Sequence, residues 1–580
     1  MRIQRVVIFA TLIGFIITGC VEREIDIKLV QTTDVHGNIF PINFINGKPI
    51  EGSLARVSTY LKEERIKYGD RLLYVDCGDI IQGTPLVYHD KTVDIEPIHI
   101  AAAALDHLGC VVGTVGNHEI ETSINNFERF FFTGIHPVVC ANMVYEETDY
   151  NYLPPYIIIE RGKVKIALLG MITPAVKNLL PYSLWEGFDF VDIEESARKW
   201  VPIIMDKEKP DFLIGVFHSG LEGGITTQSY TENATLAVAK NVPGFDAILY
   251  GHDHIARISK EINTYGDTVL LLNGGPYAQA VAALELSVVR KGSKVISKSV
   301  KGDIVSMETY QPDQEFISTY RHKIETVLGY VDSIIGKIDT SINSLDAAFG
   351  PSLYMDYIHQ IQLKITNAEI SLASPVSLDI NIDSGDFTVR DAYMLYPFEN
   401  SMSTLTLKGS EVVSMLELST GQQFNTISRS GEKLLKLNYN GIDTKPAFIN
   451  NVYDFVSAAG IDYTVDITKS VGKRVTVHSM SNGKPFNMNS SYRVAVNSFM
   501  GSGGYDLFLE GIGVSREEIL ERVQLSNKVD VRFHIITDFA VKAETGRSVT
   551  VEQLNNWKLI PQDIAARALS KERIYITERD

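Results

Sequence analysis

Six short apolar runs, at residues 27–30, 72–75, 111–115, 166–169, 212–216 and 247–250, recur through the first half of the chain between glycines and acidic residues. Runs this short and this apolar predict strands buried on both faces, the pattern of parallel sheets covered by helices. Helical stretches at 53–67 and 194–207 lie between them and supply crossovers. The first half therefore reads as an α/β unit. In such a unit, ligands bind at the carboxyl edge of the strands, where the connecting loops converge.

Metal-ligand residue types stand at that edge. Asp34-Val35-His36, Gly78-Asp79, Gly116-Asn117-His118-Glu119, His218-Ser219-Gly220 and Gly251-His252-Asp253-His254 each follow one of the apolar runs. Aspartate, asparagine and imidazole donors together suit a pair of hard-to-borderline divalent cations, namely Zn, Mn, Fe or Co. Asp79, placed after a glycine that lets the backbone come close, is the expected bridge. The expected sets are Asp34, His36, Asp79 and His254 on one ion, and Asp79, Asn117, His218 and His252 on the other. Two cations about 3.5–4 Å apart clamp the oxygens of a phosphoryl displacement. The expected chemistry is thus attack on phosphorus, in line, by a hydroxide that two metals activate. His118 adjoins a ligand and is placed to hydrogen-bond the phosphate or the leaving oxygen, with an acidic neighbour holding its orientation. The remaining histidines lack this context and read as packing or surface residues.

Length and charge set the outer limits. A chain of 580 residues exceeds one core and calls for two domains. Its 71 acidic and 54 basic residues leave a net charge of −17, which argues against binding a nucleic-acid polymer. A small phosphoester stays compatible with that charge, because bound metals supply positive charge locally. At the N-terminus, Arg2 and Arg5 precede an apolar run at 6–17 and then Thr18-Gly19-Cys20. This is the form of a secretory signal, too short to span a membrane comfortably. Ile17-Thr18-Gly19-Cys20 resembles a bacterial lipobox, which implies an exported lipoprotein anchored to membrane through Cys20, at the periplasmic face or the cell surface. Cys77, Cys110 and Cys140 show no Cys-x-x-Cys spacing, so no thiolate metal site is expected; Cys77 reads as a buried free thiol, with one disulfide among the three as the alternative.

Past the first unit, a polar helical stretch at 311–335 carries Phe316, Tyr320, Ile324, Val327 and Leu328 at one-face spacing and reads as a connector. A second α/β unit follows, with Gly-, Asn- and Ser-rich turns. The residues from Val549 onward are expected to pack back as an extension.

With these residues in hand, the chain resembles the 5′-nucleotidase family. That family joins a calcineurin-like metallophosphoesterase domain to a C-terminal substrate-binding domain. The five clusters above carry the resemblance, along with Asn273-Gly274-Gly275-Pro276, Tyr396-Pro397-Phe398-Glu399-Asn400 and Asn497-Ser498-Phe499-Met500. The implied fold is two-domain α/β. Its segments are a signal peptide at 1–19, a phosphoesterase domain at 20–305, a helical connector at 306–340, a substrate-binding domain at 341–545 and an extension at 546–580. The resemblance implies that Phe455 and Phe499 stack on a nucleobase and that Glu121 pairs with catalytic His118. It implies hydrolysis of small phosphoesters, foremost nucleotides or cyclic nucleotides. The alternatives are a sugar phosphate, a nucleotide sugar or a sulfur-oxyacid conjugate, or a surface lipoprotein that binds without catalysis. One departure bears on substrate: where the family has a glycine-rich loop with a substrate-binding arginine, this chain has Ala373-Ser374-Pro375-Val376-Ser377-Leu378-Asp379. An aspartate there is expected to repel the phosphate or carboxylate that an arginine would clamp.

Overall fold

The computed structural model describes residues 22–292, 294–429, 431–438, 447–504 and 507–577. The leader at 1–19 and Cys20 lie outside the described residues. The first half is built on two mixed sheets. One runs in the order Lys294–Ser306, Ala280–Lys291, Glu22–Thr32, Leu72–Asp76, Cys110–Gly113. Its last three strands are parallel, and the long hairpin on its other side is antiparallel. The second sheet runs Arg257–Ile262, Thr268–Asn273, Ala247–Tyr250, Phe212–His218, Val164–Ile172, Tyr156–Arg161, with four parallel strands between two antiparallel edges.

Strand alternation stacks these sheets into four layers. Leu29 and Leu168 turn inward to one shared core with Ile214 and Leu249. Their neighbours turn outward: Val30 packs with Val57 and Leu61 of the helix Leu54–Tyr68, and Leu169 with Ala197 and Val201 of the helix Ile193–Lys207. Burial on both faces explains why the strands are apolar without interruption. Parallel register also levels the strand ends. Thr32 sits beside Asp76, Asp76 beside Gly113, and Phe217 beside Tyr250, so the loops that follow open on a common rim.

The connector comprises helices Gln314–Thr319 and Arg321–Val331. Its apolar face, from Phe316 through Leu328, joins the core of the first half. The second unit is centred on a five-stranded sheet in the order Ser457–Ala459, Ile370–Ala373, Ser491–Asn497, Ser401–Lys408, Val523–Asp530. The chain's end packs back onto this unit. Trp557–Ile560 adds a parallel strand beside Ile461–Asp466, and the Trp557 ring stacks on Tyr463 at 5.6 Å. In the helix Gln562–Thr577, Ala565 and Ala568 enter the second core, and the buried Glu572 accepts the backbone N–H groups of Leu434 and Leu435 at 3.1 Å. Cys77, Cys110 and Cys140 are buried free thiols.

Beneath the five-stranded sheet of the second unit, His359 is 2 % exposed and bonds Ser371 Oγ at 2.9 Å and Ser457 Oγ at 3.0 Å. Burial pushes its imidazole down to about 3, so it is neutral in the folded protein across the physiological range. The unfolded chain takes up a proton there below about pH 6.5. Between that pH and 3 the unfolded state therefore binds more protons, and stability falls as pH falls, by about 1.4 kcal/mol per pH unit for this one group. Urea titrations from pH 7 to 4 should show His359→Gln losing less stability on acidification than the parent chain. Parallel pH profiles for the two proteins would refute this assignment.

Candidate metal centre and substrate cleft

At the common rim the backbone turns sharply, and the residues that turn are the proposed ligands themselves. Asp34, His36, Asp79, His252 and His254 have φ of 51°, 47°, 59°, 78° and 55°. Left-handed backbone in non-glycine residues costs about 1 kcal/mol or more each and persists where surrounding contacts fix it. Here the Asp34 and His36 N–H groups donate to the carbonyls of Gly78 and Asp79, each at 2.9 Å, lacing two loops together. Glycine is needed where these loops touch: a Cβ on Gly116 would lie 2.1 Å from Asp79 Oδ1.

The side chains converge in overlapping groups: Asp34, His36 and His254; His36, Asp79 and His118; Asp79, His218 and His252. His254 Nε2 lies 3.3 Å from Asp34 Oδ1 and 3.0 Å from His36 Nε2. His218 Nε2 lies 3.0 Å from Asp79 Oδ2, while its Nδ1 donates to the Cys77 carbonyl at 2.7 Å and so leaves Nε2 as the ligating atom. His252 is held the other way round. Its Nε2 meets Glu232 Oε1 at 2.9 Å, which leaves Nδ1 for a cation. Asn117 Oδ1 is buried without a hydrogen-bond partner among the described residues, an arrangement that a cation would satisfy. Asp79 belongs to two groups and stands between them, so the donor set fits two divalent ions that share one carboxylate.

Charges around the centre are set by the same contacts. Burial, helped by the nearby His118, pushes His36 down to about 4, so its ring offers a neutral lone pair. Burial also disfavours the His118 cation, but Asp79 and Glu121 outweigh it and raise His118 to about 10. His118 Nδ1 meets Glu121 Oε2 at 2.5 Å, and its Nε2 lies 3.9 Å from Asp79 Oδ2.

Residues 27–256 match the calcineurin-like phosphoesterase family, and residues 334–510 match the 5′-nucleotidase C-terminal domain. The chain belongs to the 5′-nucleotidase/2′,3′-cyclic phosphodiesterase family. It is a metal-dependent phosphoesterase. It is 24% identical over 628 residues to the 2′,3′-cyclic-nucleotide 2′-phosphodiesterase/3′-nucleotidase of Salmonella typhimurium, covering 95% of this chain and 92% of that protein. Identity is also 24% to the trifunctional nucleotide phosphoesterase protein YfkN of Bacillus subtilis, over 93% of this chain, which spans only 39% of that longer protein. The 5′-nucleotidase precursor from Thermus thermophilus shares the fold, with a TM-score of 0.57 at 19% identity, covering 92% of this chain and 99% of that one.

Two acids of this phosphoesterase escape a motif-based reading. Glu119, fully buried, accepts the N–H groups of Asp79 at 2.7 Å, Ile80 at 2.8 Å and Gly116 at 2.7 Å, and so ties the Asp79 loop to the Asn117 loop. A glutamate three residues after a glycine that opens a helix was the available signal. Glu232 orients His252 from a hairpin far away in sequence, and nothing around it in the chain marks it.

The second domain closes the site. A cavity of about 380 Å³ runs from Asn117, His118 and His252 to Phe398, Tyr453 and Phe499. Phe499 reaches this cleft as expected and is 39 % exposed. Phe455 does not. It is 4 % exposed, packed edge-on against Phe424 and Trp557, and belongs to the core. The nearby cleft aromatic is Tyr453, whose ring lies 6.4 Å from that of Phe398. Asp379 is also displaced from its expected role: it is exposed, and Ser374 and Val376 line the cleft instead.

Because Asp79 belongs to two of the three groups, Asp79→Ala should bring turnover to background and lower the bound-metal stoichiometry measured by elemental analysis. Glu232→Gln should keep both ions but weaken metal affinity about 10–100-fold in chelator competition, as loss of a ligand's supporting acid does. Unchanged affinity in that variant would show that His252 needs no such support.

Proposed function

We propose that this phosphoesterase hydrolyses nucleoside 2′,3′-cyclic phosphates and nucleoside monophosphates outside the cytoplasm, held to a membrane by a lipid on Cys20. The observation that carries the reading is the cleft itself: one continuous cavity has the metal-ligand residues at one end and three aromatic rings at the other. Its volume suits a mononucleotide-sized ligand. The similarity to the Salmonella cyclic phosphodiesterase/3′-nucleotidase along nearly all of both chains supports the substrate class.

Asp34, His36, Asp79 and His254 would hold one cation, and Asp79, Asn117, His218 and His252 the other. When bound, the cations supply Lewis acidity that neutralises phosphoryl oxygens and lowers the pKa of water. The chain's own groups do the rest. Glu121 fixes His118 Nδ1 and stabilises its charge, so Nε2 is the atom that hands a proton to the leaving oxygen. Across the cleft, Leu179, Leu180 and Leu184 face the space beside Phe398, Tyr453 and Phe499, forming an apolar slot for a base. Asn497 and Ser498 supply neutral polar groups at its edge for sugar hydroxyls.

A sugar phosphate is the second reading, favoured by the small polar Ser374 in the loop that lines the cleft. Phosphate release should be measured with Mn²⁺, Zn²⁺, Co²⁺, Mg²⁺ or Ca²⁺ on 2′,3′-cyclic AMP, AMP, a hexose phosphate and an aryl phosphate. Turnover of both nucleotides is expected, and release from the aryl or hexose phosphate alone would overturn the nucleotide assignment. Phe499→Ala should raise KM about tenfold with a smaller effect on kcat, since stacking on a base contributes roughly 1–3 kcal/mol. Separately, Cys20→Ser should move the exported protein from the membrane fraction to the soluble one. Retention on the membrane would remove the lipid anchor from the proposal.

A further inference from the structure

We propose that the cleft admits only phosphoesters whose non-reacting half carries no second anionic group, and that Glu399 sets this limit. The proposal rests on the cleft being the substrate site, as argued above, and narrows what enters it. Among the described residues that line the cavity there is no lysine and no arginine, whereas Glu121, Glu232 and Glu399 all reach it. The first two acids are taken up by His118 and His252. Glu399 stands on the second-domain side, with a side chain 9% exposed.

Two cations do lie close to Glu399, but neither lines the cavity. Lys91, from the first domain, is 8% exposed and bound to Glu399 Oε2. The Arg532 guanidinium, 1% exposed, lies 3.9 Å from Glu399 Oε1 and is sandwiched at 3.9 Å from the Tyr393 ring and 4.8 Å from the Tyr88 ring. Burial raises the Glu399 carboxyl, but Lys91 and Arg532 outweigh it and hold the group below its ordinary value, so it is ionised at neutral pH. The rest of that wall is aromatic or neutral: Phe398, Asn400, Tyr453, Asn497 and Phe499.

A second phosphate placed against that wall, away from His118, would lose its water, meet no lysine or arginine and face a carboxylate. Like charges brought together in a closed site carry a penalty of several times the thermal energy. Nucleoside monophosphates and 2′,3′-cyclic phosphates pass this filter, because their only anionic group goes to the metals. Nucleoside bisphosphates, and esters joined through a pyrophosphate, do not.

The test compares kcat/KM of the metal-loaded full chain for 3′-AMP and adenosine 3′,5′-bisphosphate, and for phenyl phosphate and 4-carboxyphenyl phosphate. In each pair the member with the extra anionic group should be slower, by roughly a hundredfold for the nucleotides. Glu399→Gln should shrink that ratio at least about tenfold. The double variant Lys91→Met/Glu399→Gln, which removes the pair together, should shift the ratio in the same direction and serves if the single variant does not fold. Equal kcat/KM within either pair, or a ratio that neither variant moves, would overturn the charge limit. Failure of the nucleotide reading looks different: phenyl phosphate is turned over and neither nucleotide is. The aryl pair then decides the charge limit alone, with a tenfold preference for the uncharged ring upholding it and parity rejecting it.

Discussion

Two carboxylates with almost no access to water, Asp34 at 0 % and Asp79 at 1 %, sit in overlapping groups with five imidazoles, and the architecture of the first domain follows from having to accommodate them. Isolated buried charge is expensive, and it persists only when paired or bound to metal. Here the pairing is arranged from several directions at once. Flush strand ends bring the loops together, left-handed backbone aims the side chains, Glu119 ties the Asp79 backbone to the Asn117 loop, and the Cys77 carbonyl and Glu232 fix which ring atoms of His218 and His252 face inward. Each device is costly alone, and together they specify one arrangement.

The second domain supplies what the metal centre lacks, a wall that recognises a molecule. Its attachment combines one small apolar cluster, of Tyr88 with Val389 and Tyr393, with a set of polar contacts. Tyr88 donates to Asp530 at 3.2 Å, Arg390 donates to the carbonyls of Phe44 and Ile45, and Lys91 pairs with Glu399. Together these contacts position the aromatic wall over the ligand loops. The connector, in contrast, is bound to the first domain through its apolar face, so that domain ends structurally near Val331.

The first domain was legible in sequence because its signals are local and redundant. An apolar run followed at once by a glycine and a metal-ligand type marks both a strand and its functional end, and the run at 247–250 is followed directly by Gly251 and His252. The second domain's wall was less so. Phe455 and Tyr453 differ by two positions, and which ring reaches the cleft depends on a short 3-10 turn at Val452–Asp454 that no periodicity foretells. Asp379 misled for a similar reason, since a loop's composition does not say which of its residues faces inward. Glu232 is legible only in three dimensions: it lies 20 residues from His252, and its carboxylate meets that ring through the packing of a hairpin.

The strand Trp557–Ile560 has a consequence for how this molecule is made. The first domain and its connector are complete once Val331 has emerged, so they can collapse while synthesis continues. The second domain waits longer: its three-stranded sheet takes its last member from Trp557–Ile560, far downstream of the partner strand Ile461–Asp466. Its aromatic wall is therefore assembled after the ligand loops already exist, on a template that is waiting for it.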